Sequence, residues 1–261
     1  MTTSERWISR RAGGATRLRL FCLPHAGGGS SAYSRWQADF PDEIEVCAVD
    51  LPGRQRRVRE PAFRRASPLV AAVADGLGPY LDVPFAIFGH SLGALLAFEL
   101  ARTLRRAGGP VPDALFLSGA AAPQLPRARR PVSNLPDDEF LSEVSAYGGI
   151  SQEALAEPGL MTLFLPVLRA DFEIFDSYEA GPDEPPDCPV YLYGGDQDPH
   201  AAPARLAAWG DVLPNVVSAE FFSGGHFYLT DHREALTASI ARALLAPLVG
   251  AGNGPEVQGH V

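Results

Sequence analysis

The sequence contains no lysine, and all 22 of its basic residues are arginines. Schiff-base chemistry and lysine nucleophiles are therefore excluded, because both need the lysine amine. The 31 acidic residues outnumber the arginines, which gives the 261-residue chain a formal net charge of -9. Since a negatively charged chain is a poor match for a phosphate backbone, we expect no nucleic acid partner.

Cysteine is scarce, and the three that occur, Cys22, Cys47 and Cys188, each lie in or beside an apolar run. We expect buried free thiols in a reducing compartment rather than a disulfide framework. The cysteine and histidine spacings are not those of a metal site, so we expect no metal, and we expect no cofactor. The sequence has neither an apolar stretch long enough to span a bilayer nor an N-terminal signal, which predicts a cytoplasmic protein with no membrane partner.

Short apolar runs alternate with helical segments along most of the chain. The predicted strands are residues 18–23, 44–49, 85–88, 114–117, 190–193 and 216–222. The predicted helices are residues 67–81, 92–107, 204–212 and 233–248. Several of the strands are apolar throughout, as parallel strands covered on both faces are. The alternation predicts an α/β fold with a doubly wound, mostly parallel sheet.

One long interval interrupts this alternation. Residues 123–187 contain no convincing strand but two predicted helices, near 137–147 and 160–178. We interpret the interval as a helical lid insertion, although a fixed helical cap would have the same sequence pattern. The core then comprises residues 1–122 and 188–249, and the glycine-rich residues 250–261 are expected to form a disordered tail.

The most informative motif is Gly89-His90-Ser91-Leu92-Gly93. A Gly-x-Ser-x-Gly pentapeptide alone is a weak signal, but here a predicted strand precedes it and a predicted helix follows at once. That order is typical of the nucleophile elbow of an α/β-hydrolase, in which a strained turn lifts a serine hydroxyl above the sheet. The motif therefore predicts the α/β-hydrolase fold, with Ser91 as the nucleophile.

A serine hydroxyl is a weak nucleophile, so it needs a base, and in this fold the base is a histidine near the end of the chain. His226 is best placed, because it lies on a glycine-containing loop directly after the last predicted strand. His200 and His232 remain alternatives on order alone.

The acid that orients the base is expected on the loop after the strand 190–193. Asp196 and Asp198 compete for this role. The arrangement Gly195-x-x-Asp198 is the one usual in this fold and favours Asp198. Either residue could instead be an Asx-turn residue before Pro199.

The oxyanion of a tetrahedral intermediate needs two N–H donors. One is the backbone N–H after the nucleophile, that of Leu92, and the other comes from a loop after an early strand. The loop 23–29 is rich in glycine, and Ala26 is the predicted donor. A phosphate-binding loop is the competing interpretation, but the lysine that such a loop requires is missing.

Six motifs occur in order along the chain. They are Pro24-His25-Ala26-Gly27-Gly28, Tyr33 with Trp36, Leu51-Pro52-Gly53-Arg54, Gly89-His90-Ser91-Leu92-Gly93-Ala94, Gly195-Asp196-Gln197-Asp198-Pro199 and Gly225-His226-Phe227. Together they resemble the stand-alone type II thioesterases of polyketide and nonribosomal peptide pathways, over nearly the whole chain.

This resemblance implies an activity, a partner and a site. The activity is hydrolysis of aberrant or stalled acyl groups, and the partner is an acyl or peptidyl carrier protein whose phosphopantetheine arm holds the thioester. Ser91, Asp198 and His226 would form the triad, with Ala26 and Leu92 as oxyanion donors. We expect the enzyme to be a monomer.

Other functions compete with this one. A general small-ester hydrolase or lipase has the same fold. An excised chain-terminating thioesterase domain commonly places its acid after the strand that follows the elbow helix, but residues 118–122 here contain no carboxylate. A non-catalytic binding protein of this fold is disfavoured, because the serine, acid and histidine are all present.

Two features of the sequence, an arginine cluster and an apolar run, each allow more than one interpretation. The arginine cluster consists of Arg54, Arg56, Arg57, Arg59, Arg64 and Arg65. It is either a basic patch for an acidic carrier protein or the pantetheine phosphate, or an ordinary solvated loop. The apolar run 160–168 either lines an acyl channel or forms the core of the lid.

Overall fold

The computed structural model describes residues 6–10, 16–126, 130–149, 158–181 and 184–250. Its strands form one seven-stranded sheet: β1 Ile8–Arg10, β2 Leu18–Leu23, β3 Ile44–Val49, β4 Phe85–His90, β5 Ala114–Ser118, β6 Val190–Gly195 and β7 Val216–Phe222. The spatial order is β1-β3-β2-β4-β5-β6-β7, and every neighbouring pair is parallel except β1 with β3. The predicted α/β-hydrolase fold with a mostly parallel sheet is confirmed.

The helices connect these strands. They are α1 Ala66–Leu77, α2 Leu92–Arg106, α3 Asp137–Ser145, α4 Pro158–Ser177, α5 Pro203–Ala207, α6 Tyr228–Asp231 and α7 Arg233–Gly250. Two predicted helices change type before they end: α1 continues as the 3-10 turn Gly78–Tyr80, and α5 as the 3-10 turn Ala208–Asp211. Pro79 lacks an N–H donor for the α-helical ladder, which accounts for the first change. Strand β1 and helix α6 were not predicted, because three or four residues carry no periodicity.

The sheet is covered on both faces, as its apolar strands require. Every residue of β2, β3, β4 and β5 is buried. Successive side chains of a strand point to opposite faces, so Ile87 joins one hydrophobic cluster and Phe88 the other. Val73 of α1 and Leu96 of α2 pack in the first cluster, and Ile240 of α7 packs in the second.

The insertion between β5 and β6 carries α3 and α4, the two helices predicted within residues 123–187. It has a small hydrophobic cluster of its own, formed by Val132, Phe140, Val144, Leu168 and Phe172. At the other end of the chain, α7 extends to Gly250, and the rest of the predicted tail, residues 251–261, lies outside the described residues.

The three cysteines are buried and unpaired, as predicted. Burial raises the pKa of Cys47 and of Cys188 to about 12, which keeps these thiols protonated and unreactive. In the part of the chain that the structure describes, no helix is both long and apolar enough to cross a membrane. The same residues include no group of three or more His, Cys, Asp or Glu side chains that could hold a metal ion.

Candidate active site

Ser91 lies in the turn between β4 and α2, where its backbone is strained. Its φ of 55° and ψ of -117° are values that residues with a Cβ rarely adopt. The flanking glycines allow this tight turn. A Cβ at Gly89 would collide with the backbone of Gly93, and one at Gly93 with the backbone of Leu23. The motif therefore needs glycine at both positions so that the two backbone segments can approach closely, and the turn places Ser91 at the carboxyl end of β4.

Glycine at position 91 should relieve this strain. The strain costs about 1–3 kcal/mol for a residue with a Cβ, whereas glycine is about 0.5–1 kcal/mol less favourable than alanine in regular structure. We therefore expect the free energy of unfolding of Ser91→Gly to be higher than that of Ser91→Ala by about 1 kcal/mol. This is the reverse of the usual order, in which an alanine variant is more stable than a glycine variant. Urea unfolding of both variants, which lack the hydroxyl equally, measures the difference. A more stable alanine variant would show that the turn is not strained.

The predicted base and acid lie next to this serine. His226 Nε2 is 2.9 Å from Ser91 Oγ, and His226 Nδ1 is 2.7 Å from Asp198 Oδ2. In the tautomer with the proton on Nδ1, that N–H donates to the carboxylate and Nε2 accepts from the serine hydroxyl. All three side chains are buried. They follow β4, β6 and β7, whose carboxyl ends share one edge of the sheet because these strands are parallel.

Asp198 is held as a carboxylate. Burial by itself would raise the pKa of Asp198, but hydrogen bonds from His226 and from the N–H groups of His200 and Ala201 outweigh it and lower the pKa below its usual value. The His200 N–H donates to Oδ1 at 2.8 Å, so both carboxylate oxygens accept hydrogen bonds. The acid can therefore stabilise a positive charge on His226.

The competing residues have other contacts. Asp196 is exposed and accepts the N–H of Gly224 at 2.9 Å. His232 contacts the hydroxyl of Ser223 at the surface. His200 stacks on Tyr147, with 3.5 Å between ring centroids. The geometry thus brings together Ser91, His226 and Asp198, the three residues that the sequence analysis favoured.

The two predicted oxyanion donors flank the serine. The N–H of Leu92 lies in the first turn of α2, where helical N–H groups have no acceptor within the helix. Ala26 lies in the loop after β2 and lines the same cavity as Ser91. Within this loop the N–H of Gly28 donates to His25 O at 2.9 Å, which forms a tight turn around Ala26.

Two cavities meet at Ser91 and His226. The first has a volume of about 190 Å³ and includes Leu95, Ala120, Leu125, Tyr178 and Arg205 in its lining. The second has a volume of about 130 Å³ and includes Ala26, Val144, Phe164, Leu168 and Phe172. Tyr147 and Phe175 line both. The insertion therefore supplies much of the wall on both sides of the serine.

Comparison with known proteins identifies the family. A model of the thioesterase domain family matches residues 18–244. The chain belongs to the thioesterase family. It is therefore a hydrolase that acts on thioesters, as the sequence motifs predicted.

The thioesterase is similar to proteins of peptide and polyketide biosynthesis. It is 38% identical over 249 residues to the gramicidin S biosynthesis protein GrsT of Aneurinibacillus migulanus, covering 94% of this chain and 97% of that protein. It is 36% identical over 241 residues to thioesterase PikA5 of Streptomyces venezuelae, covering 92% and 85%. The structure of the type II thioesterase BorB, from the borrelidin biosynthetic cluster, matches 94% of this chain and 100% of that one, with 35% identity and a TM-score of 0.84. The resemblance to type II thioesterases is confirmed.

His90 packs against His226 and His25 packs against His90, although the sequence analysis gave neither histidine a role of its own. The ring centroids of His90 and His226 are 5.0 Å apart, and those of His25 and His90 are 6.2 Å apart. Burial, with a smaller effect of His226, lowers the pKa of His25 to about 4 and that of His90 well below its usual value. Both rings are therefore neutral near pH 7 and place no second positive charge beside the base.

Tyr147 is a further site residue that the sequence did not reveal. Besides its stacking on His200, its ring packs edge-on against His226, with 5.2 Å between centroids. It was predicted as the last residue of the helix 137–147, but α3 ends at Ser145 and Tyr147 lies in the turn that follows, so the helical pattern did not indicate a site residue. It lies between the two cavities and lines both of them.

The arginine cluster of the thioesterase is divided between buried and exposed side chains. Arg54 is buried against Asp171, and Arg57 is buried with its guanidinium 3.9 Å from the centroid of the Trp7 ring. Arg56 forms an ion pair with Asp50, and Arg64 with Glu173. Arg54 and Arg57 are therefore buried and not open to a partner, whereas Arg56, Arg59, Arg64 and Arg65 are exposed, so a docking patch could be formed only by these four.

The structure supports in part each of the two interpretations of the run 160–168, as the lining of an acyl channel and as the core of the lid. Phe164 and Leu168 line the second cavity, as an acyl channel would require. Leu168 also belongs to the hydrophobic cluster of the insertion, and Met161 is buried. Leu163 has 62% of its surface exposed and faces neither.

Proposed function

We propose that this thioesterase hydrolyses aberrant or stalled acyl groups from the phosphopantetheine arm of acyl or peptidyl carrier proteins. The observation that carries the proposal is the hydrogen-bonded series Ser91–His226–Asp198 where two cavities meet. Similarity over nearly full length to the type II thioesterase BorB supports the substrate class. The enzyme is proposed to act in the cytoplasm as a monomer, and its unpaired thiols fit a reducing compartment.

The mechanism is acyl transfer through Ser91. His226 Nε2 removes the proton from Ser91 Oγ as this oxygen attacks the thioester carbon, and Asp198 stabilises the imidazolium that forms. The N–H groups of Ala26 and Leu92 bind the oxyanion of the tetrahedral intermediate. Its collapse breaks the carbon–sulfur bond, and His226 returns the proton to the leaving thiolate. Water, deprotonated by His226, then attacks the acyl-enzyme. The second tetrahedral intermediate collapses with cleavage of the bond to Ser91 Oγ, His226 returns the proton to this oxygen, and the free acid leaves.

A carrier-bound thioester extends in two directions from the bond that breaks. The acyl group lies on one side and the pantetheine arm on the other, so an enzyme for it needs two spaces at the nucleophile. The cavities of about 190 Å³ and about 130 Å³ meet this need. In this proposal, residues 123–187 are a lid over a core of residues 1–122 and 188–249.

A chain-terminating thioesterase is a weaker candidate. In such domains the acid commonly follows the strand after the elbow helix, which is β5 here. The residues after β5 are Gly119, Ala120, Ala121 and Ala122, and they line the first cavity without a carboxylate. The acid that contacts His226 instead follows β6.

The test is to present one acyl group in three ways: on a holo-carrier protein, as an N-acetylcysteamine thioester and as a p-nitrophenyl ester. We expect kcat/KM to be at least about tenfold higher for the carrier-bound form, because contacts between the enzyme and the carrier protein add binding energy that stabilises the transition state. Equal or better use of the free ester would assign a general esterase instead. The Ser91→Ala variant provides the background rate for each substrate.

A further inference from the structure

A carboxylate of the insertion reaches the loop that holds Ala26. Asp171, in α4, is completely buried, and its carboxylate accepts three hydrogen bonds. The N–H of Gly27 donates to Oδ2 at 2.7 Å. Arg54 donates to Oδ2 from Nη1 at 2.7 Å and to Oδ1 from Nη2 at 2.8 Å. A planar guanidinium held at two points fixes the carboxylate in direction as well as in position.

Arg54 holds the same loop from its other side. Its Nη1 also donates to Gly28 O at 3.0 Å. The pair therefore binds one N–H and one carbonyl of two consecutive glycines, which have no side chains with which to anchor themselves. The pair connects three segments that are distant in sequence, because Asp171 is 117 residues from Arg54 and 144 residues from Gly27.

These contacts determine the orientation of Ala26. The peptide after Ala26 is fixed because its N–H, that of Gly27, is bound by Asp171. The peptide before it is fixed because its carbonyl, that of His25, accepts the N–H of Gly28 at 2.9 Å. The N–H of Ala26 belongs to this second peptide, and a peptide is planar, so its direction follows from the two anchors.

Helix α4 also sets the position of the loop by direct packing. Gly27 has a φ of +72°, and a Cβ there would lie 2.7 Å from Phe164 and 2.8 Å from Leu168, both on α4. Phe164, Leu168, Asp171 and Phe175 recur at helical spacing, so one face of α4 carries the apolar contacts and the carboxylate together. The loop therefore rests on this face of the helix.

We infer that Asp171 and Arg54 are positioning residues that aim the N–H of Ala26 at the oxyanion. They act through Gly27 and Gly28 and do not touch the substrate. This inference rests on the proposed function, because it assumes that Ala26 is a donor in the hydrolysis at Ser91. The insertion thereby completes the catalytic geometry of the core in addition to forming the cavity walls.

The test distinguishes the effect of losing the hydrogen bond from the Gly27 N–H from the effect of losing the Arg54–Asp171 ion pair. Removal of one partner leaves a buried charge unpaired, whereas replacement of both by uncharged residues is often tolerated. We compare Arg54→Met/Asp171→Leu with Arg54→Met/Asp171→Asn. Both lack the ion pair, but only the asparagine has an oxygen that can accept the Gly27 N–H. Thermal unfolding of each variant checks that it is folded.

Steady-state hydrolysis of an N-acetylcysteamine thioester gives the first result. We expect the leucine variant to lose about 10- to 100-fold in kcat, since a misplaced oxyanion donor retains only part of its effect, and the asparagine variant to stay within about fivefold of the native enzyme. KM should change little in either variant, because the donor acts mainly in the transition state.

Binding of an alkylboronic acid gives the second result. Its tetrahedral adduct with Ser91 places an oxygen in the oxyanion site, so its affinity should fall in the leucine variant by about the same factor as kcat. A defect confined to stability would not lower this affinity in folded protein. If the leucine variant does not fold, Arg54→Met/Asp171→Ala tests the same loss with a smaller side chain.

Arg64→Ala is the matched control. It removes an exposed ion pair with Glu173, two residues further along α4, that does not reach the loop. We expect kcat within about twofold of the native value. An equal loss in Arg64→Ala and the leucine variant would overturn the inference, as would a leucine variant with native kcat and native boronate affinity. If instead Ser91→Ala still turns over the substrate, the proposed function itself fails.

Discussion

Replacement of Ser91 by alanine should lower kcat by about 10⁶-fold, the loss seen when a serine hydrolase loses its nucleophile. The reason is that Ser91 Oγ, which lies 2.9 Å from His226 Nε2, is the atom that accepts the acyl group in the proposed mechanism. Hydrolysis of the carrier-bound and the N-acetylcysteamine thioester should fall together, since both pass through the same acyl-enzyme.

Two controls make this result specific. The first is Ser223→Ala, which removes an exposed serine hydroxyl that contacts His232 near the base but does not contact His226. It should leave kcat within about twofold of the native value. The second is mass spectrometry of the native enzyme after rapid quenching, which should detect an acyl group on Ser91. A Ser91→Ala variant with near-native turnover would remove the serine mechanism from consideration.

The sequence predicted the parts of this site that depend on chain order. Ser91, Asp198 and His226 each follow a strand whose apolar run is visible in the sequence, and parallel strands bring their carboxyl ends to one edge. The choice between Asp196 and Asp198 rested on the usual arrangement of the fold. The structure adds the physical reason, because only Asp198 is buried against His226.

Other parts depend on contacts between distant segments and had no such signal. The cluster from Arg54 to Arg65 allowed two interpretations, a basic patch or a solvated loop, and spacing along the chain says nothing about partners such as Asp171, which lies 117 residues from Arg54. Asp171 did have a weak signal in the sequence, because it is a charged residue on the otherwise apolar face of a predicted helix. Tyr147 had no such signal, because its position beside His226 depends on how the insertion folds.

The second large effect is expected at the acid. Asp198→Asn should lower kcat by about 10⁴-fold, as the equivalent change does in a serine protease triad. The carboxylate accepts the Nδ1–H of His226 and so leaves Nε2 free to take the proton of Ser91. An asparagine amide can turn its NH2 toward Nδ1, which places the proton on Nε2 and removes the base. Substrate binding should be nearly unaffected, so the loss should appear in kcat rather than in KM.

Asp196→Asn is the matched control, two residues away and of the same chemistry. Asp196 is exposed and accepts the N–H of Gly224, a bond that the amide oxygen of asparagine can also accept. Its kcat should stay within about twofold of the native value. The opposite ranking of the two variants would move the acid to Asp196. Small effects in both would mean that His226 is oriented without a carboxylate, and the proposed triad would then reduce to the pair of Ser91 and His226.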